Sequence, residues 1–294
     1  MKNLYKKIDD FKNKYPLDKS LEARIPNPKF LYMGNTVLEE AIAAILAGKN
    51  ILLVGDKSTG KNVLAENLSY LFRRPMWNIS FHVSVDASSL IGDDTLKKGE
   101  VIFREGPIAL ASRYGGFAVL DEINMAKNEA MAVLHSVLDY RRKIDIPGYN
   151  LIEVHPATRF IATMNYGYEG TRDLNEALLS RFVIIKMPRI EDSDLRYLIK
   201  THYPDLKEAF INDLANFFRD LKDKAENHEI SDLAPDLRGI FDALDLVKEG
   251  VEFKEAMRLC LVNKIFDDYE MDLIEDLLKA RFKDNIYQKD IANG

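Results

Sequence analysis

The stretch ILLVGDKSTGKN, from Ile51 to Asn62, decides how this chain folds. An apolar run that predicts a buried strand leads into Gly55-x4-Gly60-Lys61, and a helical pattern follows. This spacing is typical of a loop whose backbone N–H groups surround nucleotide phosphates, with the lysine reaching the β- and γ-phosphates from the next helix. A glycine-rich turn that binds nothing is the alternative. The order strand, loop, helix favours the phosphate loop.

Asn62 occupies a position at which this motif has Ser or Thr, whose hydroxyl oxygen ligates Mg²⁺. The carboxamide oxygen of Asn is also a hard, neutral ligand, but it lies one bond further out. We therefore expect Asn62 to ligate Mg²⁺ directly or through water. The predicted nucleotide-binding segment comprises Gly55, Asp56, Lys57, Ser58, Thr59, Gly60, Lys61, Asn62 and Val63.

The composition is that of an ordinary soluble protein. With 294 residues, of which 47% are hydrophobic and 30% charged, the chain can bury a substantial core. We find no membrane-spanning stretch and no apolar signal segment, and we expect a cytoplasmic protein. The net charge of −6 argues against broad binding to nucleic acid. The single cysteine, Cys260, excludes an intrachain disulfide and is expected to be a buried apolar residue.

The pattern along the chain predicts three parts. Residues 1–35 are expected to form a short helix and an extended arm. Residues 36–188 alternate helical segments with short apolar runs, which predicts an α/β core with a parallel sheet covered on both faces. Residues 189–294 contain only amphipathic helical stretches and are expected to form a helical subdomain. The predicted strands are Ile51–Val54, Met76–Val85, Phe117–Leu120, Arg159–Met164 and Phe182–Met187.

Two acidic residues, Asp121 and Glu122, end the apolar run that starts at Phe117. In this position Asp121 would hold the Mg²⁺ shell and Glu122 would orient and polarise the attacking water. Two acids at a strand end are often only a solvated turn. Their position about sixty residues after a phosphate loop favours a second nucleotide motif.

Two further polar residues lie near predicted strand ends. Asn165 follows the strand that ends at Met164, where it could hydrogen-bond the γ-phosphate or the water, or could be a turn residue. Arg181 lies at a helix end just before a buried strand. It could pair locally, or it could project outward and complete a neighbouring subunit's site, where such an arginine stabilises transition-state charge.

The ordered set GDKSTGKN, FREGPIALASRYGGFAVLDEINMA, HSVLDYRRKIDIPGYN and ATMNYGYEGTRDLNEALLSRF, followed by a helical part, resembles the AAA+ ATPases of the MoxR and dynein-related (midasin-like) group. The resemblance covers about residues 36–245. It implies an αβα P-loop core with a helical lid, ATP and Mg²⁺ bound between them, and assembly into a ring, usually a hexamer. The residue roles that it implies are Lys61 as Walker A lysine, Asp121 and Glu122 as Walker B, Asn165 as sensor 1, Arg181 as arginine finger and Arg238 of APDLRG as sensor 2.

Arg238 follows Pro235, which suits a first helical turn, so Arg238 would point from a helix N-terminus toward phosphate. A surface arginine without such a role is equally compatible with the sequence.

Two segments predict hairpins. Residues 88–107 contain a Gly-centred turn between extended residues and resemble the hairpin inserted into the core's second helix. Residues 143–154 alternate Ile residues around Pro147-Gly148-Tyr149-Asn150 and resemble the pre-sensor hairpin. Both would face a ring's channel or a partner, or would be surface hairpins without a role.

The function that this set favours is an ATP-hydrolysing, chaperone-like ring that remodels or activates a protein. By resemblance, the partner is often a von Willebrand A-domain protein or a metalloenzyme needing cofactor insertion. One alternative is a nucleic-acid-linked motor like the GTP-dependent restriction subunit of the same clade. The other is a nucleotide-gated scaffold in which Asn62 slows turnover.

Overall fold

The computed structural model describes residues 2–57, 59–146, 148–165 and 174–293. The chain divides into two compact units, residues 1–189 and 190–294. The strands are β1 Asn50–Val54, β2 Met76–Ser80, β3 Gly92–Lys97, β4 Glu100–Glu105, β5 Phe117–Asp121, β6 Lys143–Ile144, β7 Ile152–Glu153, β8 Arg159–Met164 and β9 Phe182–Lys186. The helices are α1 Lys2–Lys14, α2 Asn35–Leu46, α3 Lys61–Leu71, α4 Ala87–Ile91, α5 Pro107–Tyr114, α6 Asn128–Leu138, α7 Glu176–Leu179, α8 Asp192–His202, α9 Glu208–Glu226, α10 Leu237–Lys248, α11 Phe253–Cys260, α12 Asp268–Arg281 and α13 Gln288–Ile291.

Five strands form the central sheet of the first unit, in the order β2-β5-β8-β1-β9, and every neighbouring pair is parallel. Every residue of β1 and β8 is buried. Continuous apolar runs of this kind are typical of parallel strands covered on both faces, so the predicted α/β core with a parallel sheet is confirmed.

The two faces of the sheet belong to two different clusters of apolar side chains. Leu52 and Val54 of β1 lie in the cluster that includes residues of α5 and α6. Ile51 and Leu53 lie in the cluster that includes α1, α2 and α3. The alternation follows from the two-residue period of a strand. Because parallel strands end at a common edge, the loops after β1, β5 and β8 meet at the carboxyl edge of the sheet.

The opposite, amino edge of the sheet holds two buried arginines. Arg74 donates from Nε to the Gly115 carbonyl (2.8 Å) and from Nη1 to the Tyr15 carbonyl (2.6 Å). Arg159 donates from Nε to the Ile45 carbonyl (2.9 Å). Burial lowers the pKa of each arginine to about 10. Carbonyls at helix C-termini carry partial negative charge, which offsets part of the cost of burying these cations. Arg74 thereby ties the segment after α1 to the sheet.

Both predicted hairpins are confirmed. Strands β3 and β4 pair around Lys98 and Gly99, which both have positive φ (53° and 85°), as a two-residue hairpin turn requires. Strands β6 and β7 pair at Lys143–Ile144 and Ile152–Glu153, and Pro147 lies outside the described residues. The Tyr149 hydroxyl donates to Asp94 Oδ1 (2.7 Å), so the two hairpins contact each other.

The second unit is helical. Its helices α8 to α13 enclose a cluster of phenylalanine rings in which Phe253 and Phe282 lie 4.7 Å apart between centroids. The described residues of this unit form no sheet and contribute one isolated bridge, between Leu206 and Ala292. The predicted all-helical character is therefore confirmed. In the part of the chain that the structure describes, no helix combines the length and the apolar character needed to cross a membrane.

Three local predictions were wrong. The strand predicted over Met76–Val85 ends at Ser80, because its partner strand β5 ends at Asp121, opposite Ser80. Cys260, the last residue of α11, is half-buried rather than buried. Helix α10 begins at Leu237, so Pro235 precedes the helix. The side chain of Asp236 accepts a hydrogen bond from the Arg238 N–H and caps the helix there.

Candidate functional site

The loop between β1 and α3 requires its glycines. A Cβ on Gly55 would lie 2.8 Å from the Cβ of Met187, a distance that side chains do not tolerate. Gly60 has φ +81°, a left-handed conformation that glycine adopts without strain. Inside the loop, the Thr59 hydroxyl donates to the Asp56 carbonyl (2.9 Å). Ser58, also in the predicted segment, lies outside the described residues.

Lys61 is the first residue of α3, and its side chain turns back into the loop. Its Nζ donates to the carbonyls of Gly55 (2.9 Å) and Asp56 (2.7 Å), and only 8% of the residue is exposed. Burial lowers the pKa of Lys61 to about 8, although the negative charges of Asp56, Asp121 and Glu122 act in the opposite direction. Lys61 is thus a buried cation at a helix N-terminus, and the oxygens of an anion can replace the two carbonyls as its hydrogen-bond acceptors. Such a group is suited to binding an anion.

Asn62 contacts the acidic pair at the end of β5. Its Nδ2 donates to Asp121 Oδ2 (3.0 Å), while its Oδ1 is buried with no hydrogen-bond partner among the described residues. A buried, unpartnered carboxamide oxygen beside a carboxylate is a donor set that suits Mg²⁺, which prefers oxygen ligands and retains several waters. The residues present therefore fit the predicted ion.

Glu122 follows Asp121 in an unusual backbone conformation. Its φ and ψ are 53° and 47°, the left-handed region that few non-glycine residues adopt. Its N–H donates to the Thr163 hydroxyl (3.0 Å), and that hydroxyl donates to Asp121 Oδ1 (2.6 Å). The Glu122 side chain is exposed, and its Oε1 accepts from Asn165 Nδ2 (3.2 Å). The structure thus brings Asp121, Glu122 and Asn165 together.

Asn165 is held in turn by a residue from the segment after β5. Asn124 is 2% exposed, and its Nδ2 donates to the Asn165 carbonyl (3.1 Å). The residues that follow Asn165 in the ATMNYGYEGTRD motif, 166–173, lie outside the described residues.

Arg181 lies two residues beyond α7 and immediately before β9, as expected for a helix end. Its Nη1 donates to the Ala177 carbonyl, and its Nε is buried without a hydrogen-bond partner in the part of the chain that the structure describes. Burial and, to a smaller extent, the charge of Arg181 lower the pKa of His135. No hydrogen bond or ion pair between described side chains joins Arg181 to Lys61 or Glu122.

Arg238 belongs to the second unit. It is the second residue of α10, and it is exposed. Its backbone N–H is held by Asp236, as described above, while Asp236 also pairs with Lys264 (2.7 Å). Arg238 thus lies at a helix N-terminus of its own unit with an exposed side chain.

Three residues that contact this site are not among those predicted from the sequence: Thr163, Asn124 and Asn67. Asn67 donates from Nδ2 to the carbonyls of Phe30 (2.8 Å) and Val63 (2.7 Å), and its Oδ1 accepts from the Tyr32 N–H (3.2 Å). It thereby fastens the segment before α2 to α3. The sequence signal for Asn67 is that a polar residue lies on the apolar face of the helix predicted after the phosphate loop.

The chain is similar to a protein-family model, to curated proteins and to a solved structure. The family model described as AAA domain (dynein-related subfamily) matches residues 50–182. An uncharacterized protein of Staphylococcus haemolyticus (strain JCSC1435) is 34% identical over 260 residues, which cover 86% of this chain and 98% of that protein. An uncharacterized protein of Staphylococcus aureus (strain bovine RF122 / ET3-1) is 35% identical over 254 residues, covering 84% and 96%. A crystal structure of a protein from Cytophaga hutchinsonii covers 97% of this chain and 99% of its own, at 17% identity and a TM-score of 0.49.

The matched segment contains the phosphate-type loop with Lys61, the acidic pair and Asn165, and it runs through Arg181. The chain belongs to the AAA+ ATPases, in the group of the dynein-related AAA domain.

Proposed function

We propose that this protein binds ATP with Mg²⁺ at the loop from Gly55 to Val63 and hydrolyses it to ADP and phosphate, within a ring that remodels or activates a partner protein. The observation that carries the proposal is the linked set at the carboxyl edge of the sheet, in which Asn62 contacts Asp121 and Glu122 contacts Asn165. Such a set joins a phosphate-binding loop to a carboxylate that can act on water.

The phosphates bind at the loop and at Lys61. Backbone N–H groups and the N-terminus of α3 supply positive potential, and the ammonium exchanges the Gly55 and Asp56 carbonyls for phosphate oxygens. When bound, Mg²⁺ would neutralise charge on the phosphates. Asn62, through its buried Oδ1, and Asp121 would hold the ion.

Glu122 activates the attacking water, and its exposed carboxylate accepts a hydrogen bond from Asn165 Nδ2. A carboxylate in that position orients the attacking water and accepts its proton, and Asn165 orients the water or the γ-phosphate. Arg181 would act on the nucleotide of a neighbouring subunit, which agrees with the absence, among described residues, of a hydrogen bond or ion pair from Arg181 to Lys61 or Glu122. Arg238 would contact phosphate from the helical part.

Membership of the AAA+ family supports proposals for the domains, the oligomeric state and the partner of this protein. We propose residues 1–35 as an N-terminal arm, 36–188 as the nucleotide-binding core and 189–294 as the lid, in a homo-oligomer that is a hexameric ring. Its partner would be a von Willebrand A-domain protein or another protein substrate such as a metalloenzyme, rather than nucleic acid, in agreement with the net charge of −6. The presence of both Glu122 and Arg181 favours turnover over a nucleotide-gated scaffold.

The test is Glu122→Gln. The amide keeps the shape of the side chain but cannot accept the proton, so we expect ATP binding by calorimetry close to that of the parent, and phosphate release reduced by about 10²–10⁴-fold. Glu249→Gln, which changes an exposed glutamate at the end of α10, is the control and should hydrolyse ATP at the parent rate. Phosphate release by Glu122→Gln at the parent rate would overturn the assignment. GTP hydrolysis and the effect of added DNA, measured in parallel, test the nucleic-acid-linked alternative.

A further inference from the structure

A single hydroxyl group connects the two acidic residues of the site. Thr163 lies in β8, which pairs with β5 in parallel register, Leu120 opposite Ala162. The next residues along the two strands are Asp121 and Thr163, so the threonine side chain lies beside the point where β5 ends. Thr163 is 1% exposed and cannot contact bulk solvent.

The two hydrogen bonds of this hydroxyl give it a fixed direction. A hydroxyl has one proton to donate, and Thr163 donates it to Asp121 Oδ1 at 2.6 Å. Its lone pairs are then left to accept, and one of them accepts the Glu122 N–H at 3.0 Å. The carboxylate of Asp121 thus orients the hydroxyl, and the hydroxyl holds the backbone of Glu122.

Glu122 needs such a support because its backbone conformation is unfavourable. With φ 53° and ψ 47° it occupies the left-handed region, which L-residues other than Gly, Asn and Asp rarely adopt. This sharp turn directs the Glu122 carboxylate to Asn165. Strained backbone of this kind persists only where the surrounding contacts hold it in place.

We propose that Thr163 is a positioning residue for ATP hydrolysis, which holds Glu122 in its left-handed turn and so places the carboxylate for water activation. The inference rests on the proposed role of Glu122. No hydrogen bond between described residues joins Thr163 to Lys61 or to the loop from Gly55 to Val63, so we expect loss of its hydroxyl to slow turnover more than it weakens nucleotide binding.

The experiment compares Thr163→Val, which replaces the hydroxyl by a methyl group of similar size, with Thr163→Ser, which retains it. We expect Thr163→Val to lower kcat for ATP by about ten- to a hundredfold, since a misplacement of about 1 Å can cost 10²-fold, and to leave the calorimetric affinity for ATP within about threefold. Thr163→Ser should restore most of the rate.

Thr158→Val is the matched control. Thr158 is also fully buried, its hydroxyl donates to the Ala111 carbonyl (3.0 Å), and it lies just before β8 at the opposite end of that strand. It should lose stability without a selective loss of kcat. If Thr163→Val fails to fold, Thr163→Ala removes the same hydroxyl without inserting a methyl group in its place, and it gives the same readout.

A double variant identifies the route of the effect. If Thr163 acts through Glu122, then Thr163→Val combined with Glu122→Gln should hydrolyse ATP no more slowly than Glu122→Gln alone. A full additional loss in the double variant, or a kcat of Thr163→Val equal to that of the parent, would overturn the inference. Parent-like hydrolysis by Glu122→Gln would instead overturn the proposed function, so the two failures are distinguishable.

Discussion

Replacing Lys61 by Met should make the stability of this protein less dependent on pH. Lys61 is buried, and burial lowers its pKa from 10.5 to about 8. That fall corresponds to about 3 kcal/mol, at about 1.36 kcal/mol for each tenfold change in proton affinity. The folded protein therefore carries a cation that burial disfavours, and Lys61→Met removes the charge while keeping an apolar side chain of similar length.

The direction of this pH dependence follows from proton linkage. Between pH 8 and 10.5 the unfolded chain holds a proton on Lys61 that the folded chain has lost, so the free energy of unfolding of the parent rises with pH across this window. The Met variant lacks this contribution. The difference in unfolding free energy, parent minus Lys61→Met, should increase by about 3 kcal/mol between about pH 7.5 and pH 10.5.

The assay is urea denaturation of both proteins without nucleotide at several pH values, so that the titration of all other groups cancels in the difference. Lys57→Met, which removes an exposed positive charge from the same loop, is the control. A difference that stays constant or decreases over this range would refute the burial of Lys61 as a cation.

A saturating nucleotide provides a second readout, because ATP at a hundred times its Kd should stabilise the parent by about 2.7 kcal/mol and the Met variant hardly at all.

Three further predictions concern other residues. Asn62→Thr should bind ATP and hydrolyse it at the parent rate or faster. In a Mg²⁺ titration its activity should be half-maximal at a lower Mg²⁺ concentration, because the hydroxyl reaches the ion directly. A loss of turnover with the fold intact would mean that the hydrogen bond from Asn62 to Asp121 has a role of its own. Mixing Arg181→Ala with Glu122→Gln subunits should restore some phosphate release if Arg181 acts across a subunit boundary, and no recovery in confirmed mixed assemblies would favour a role within the chain. Arg74→Met should lower the free energy of unfolding, measured in urea, by about 2–4 kcal/mol, because the carbonyls of Tyr15 and Gly115 lose their donor. Its ATP affinity should be unchanged. Unaltered stability would contradict the inference that Arg74 ties the segment after α1 to the sheet.

The features that could be predicted from the sequence are those that short stretches determine. The stretch from Ile51 to Asn62 combines a strand, two glycines and a lysine within twelve residues. The apolar runs at Phe117 and Arg159 are continuous because both faces of these strands are covered. The short-range pattern therefore sufficed to assign strands and the residues that follow them.

The contacts that refine the site depend on which strands are neighbours. In RFIATM, Thr163 looks like an ordinary strand residue, and only the pairing of β8 with β5 brings its hydroxyl between Asp121 and Glu122. The burial of Arg74 likewise depends on carbonyls far away in the sequence. The prediction for Cys260 was wrong because the degree of burial depends on which elements pack against the end of α11, and helical periodicity alone does not reveal this.

The most direct test of the central claim is a crystal structure of Glu122→Gln with Mg²⁺ and ATP. We predict that the triphosphate lies in the loop from Gly55 to Val63, that Lys61 Nζ has left the carbonyls of Gly55 and Asp56 for phosphate oxygens, and that Asn62 Oδ1 faces Mg²⁺ directly or through water. A nucleotide bound elsewhere, or a loop in which Lys61 keeps its two carbonyl partners while ATP is present, would contradict the account.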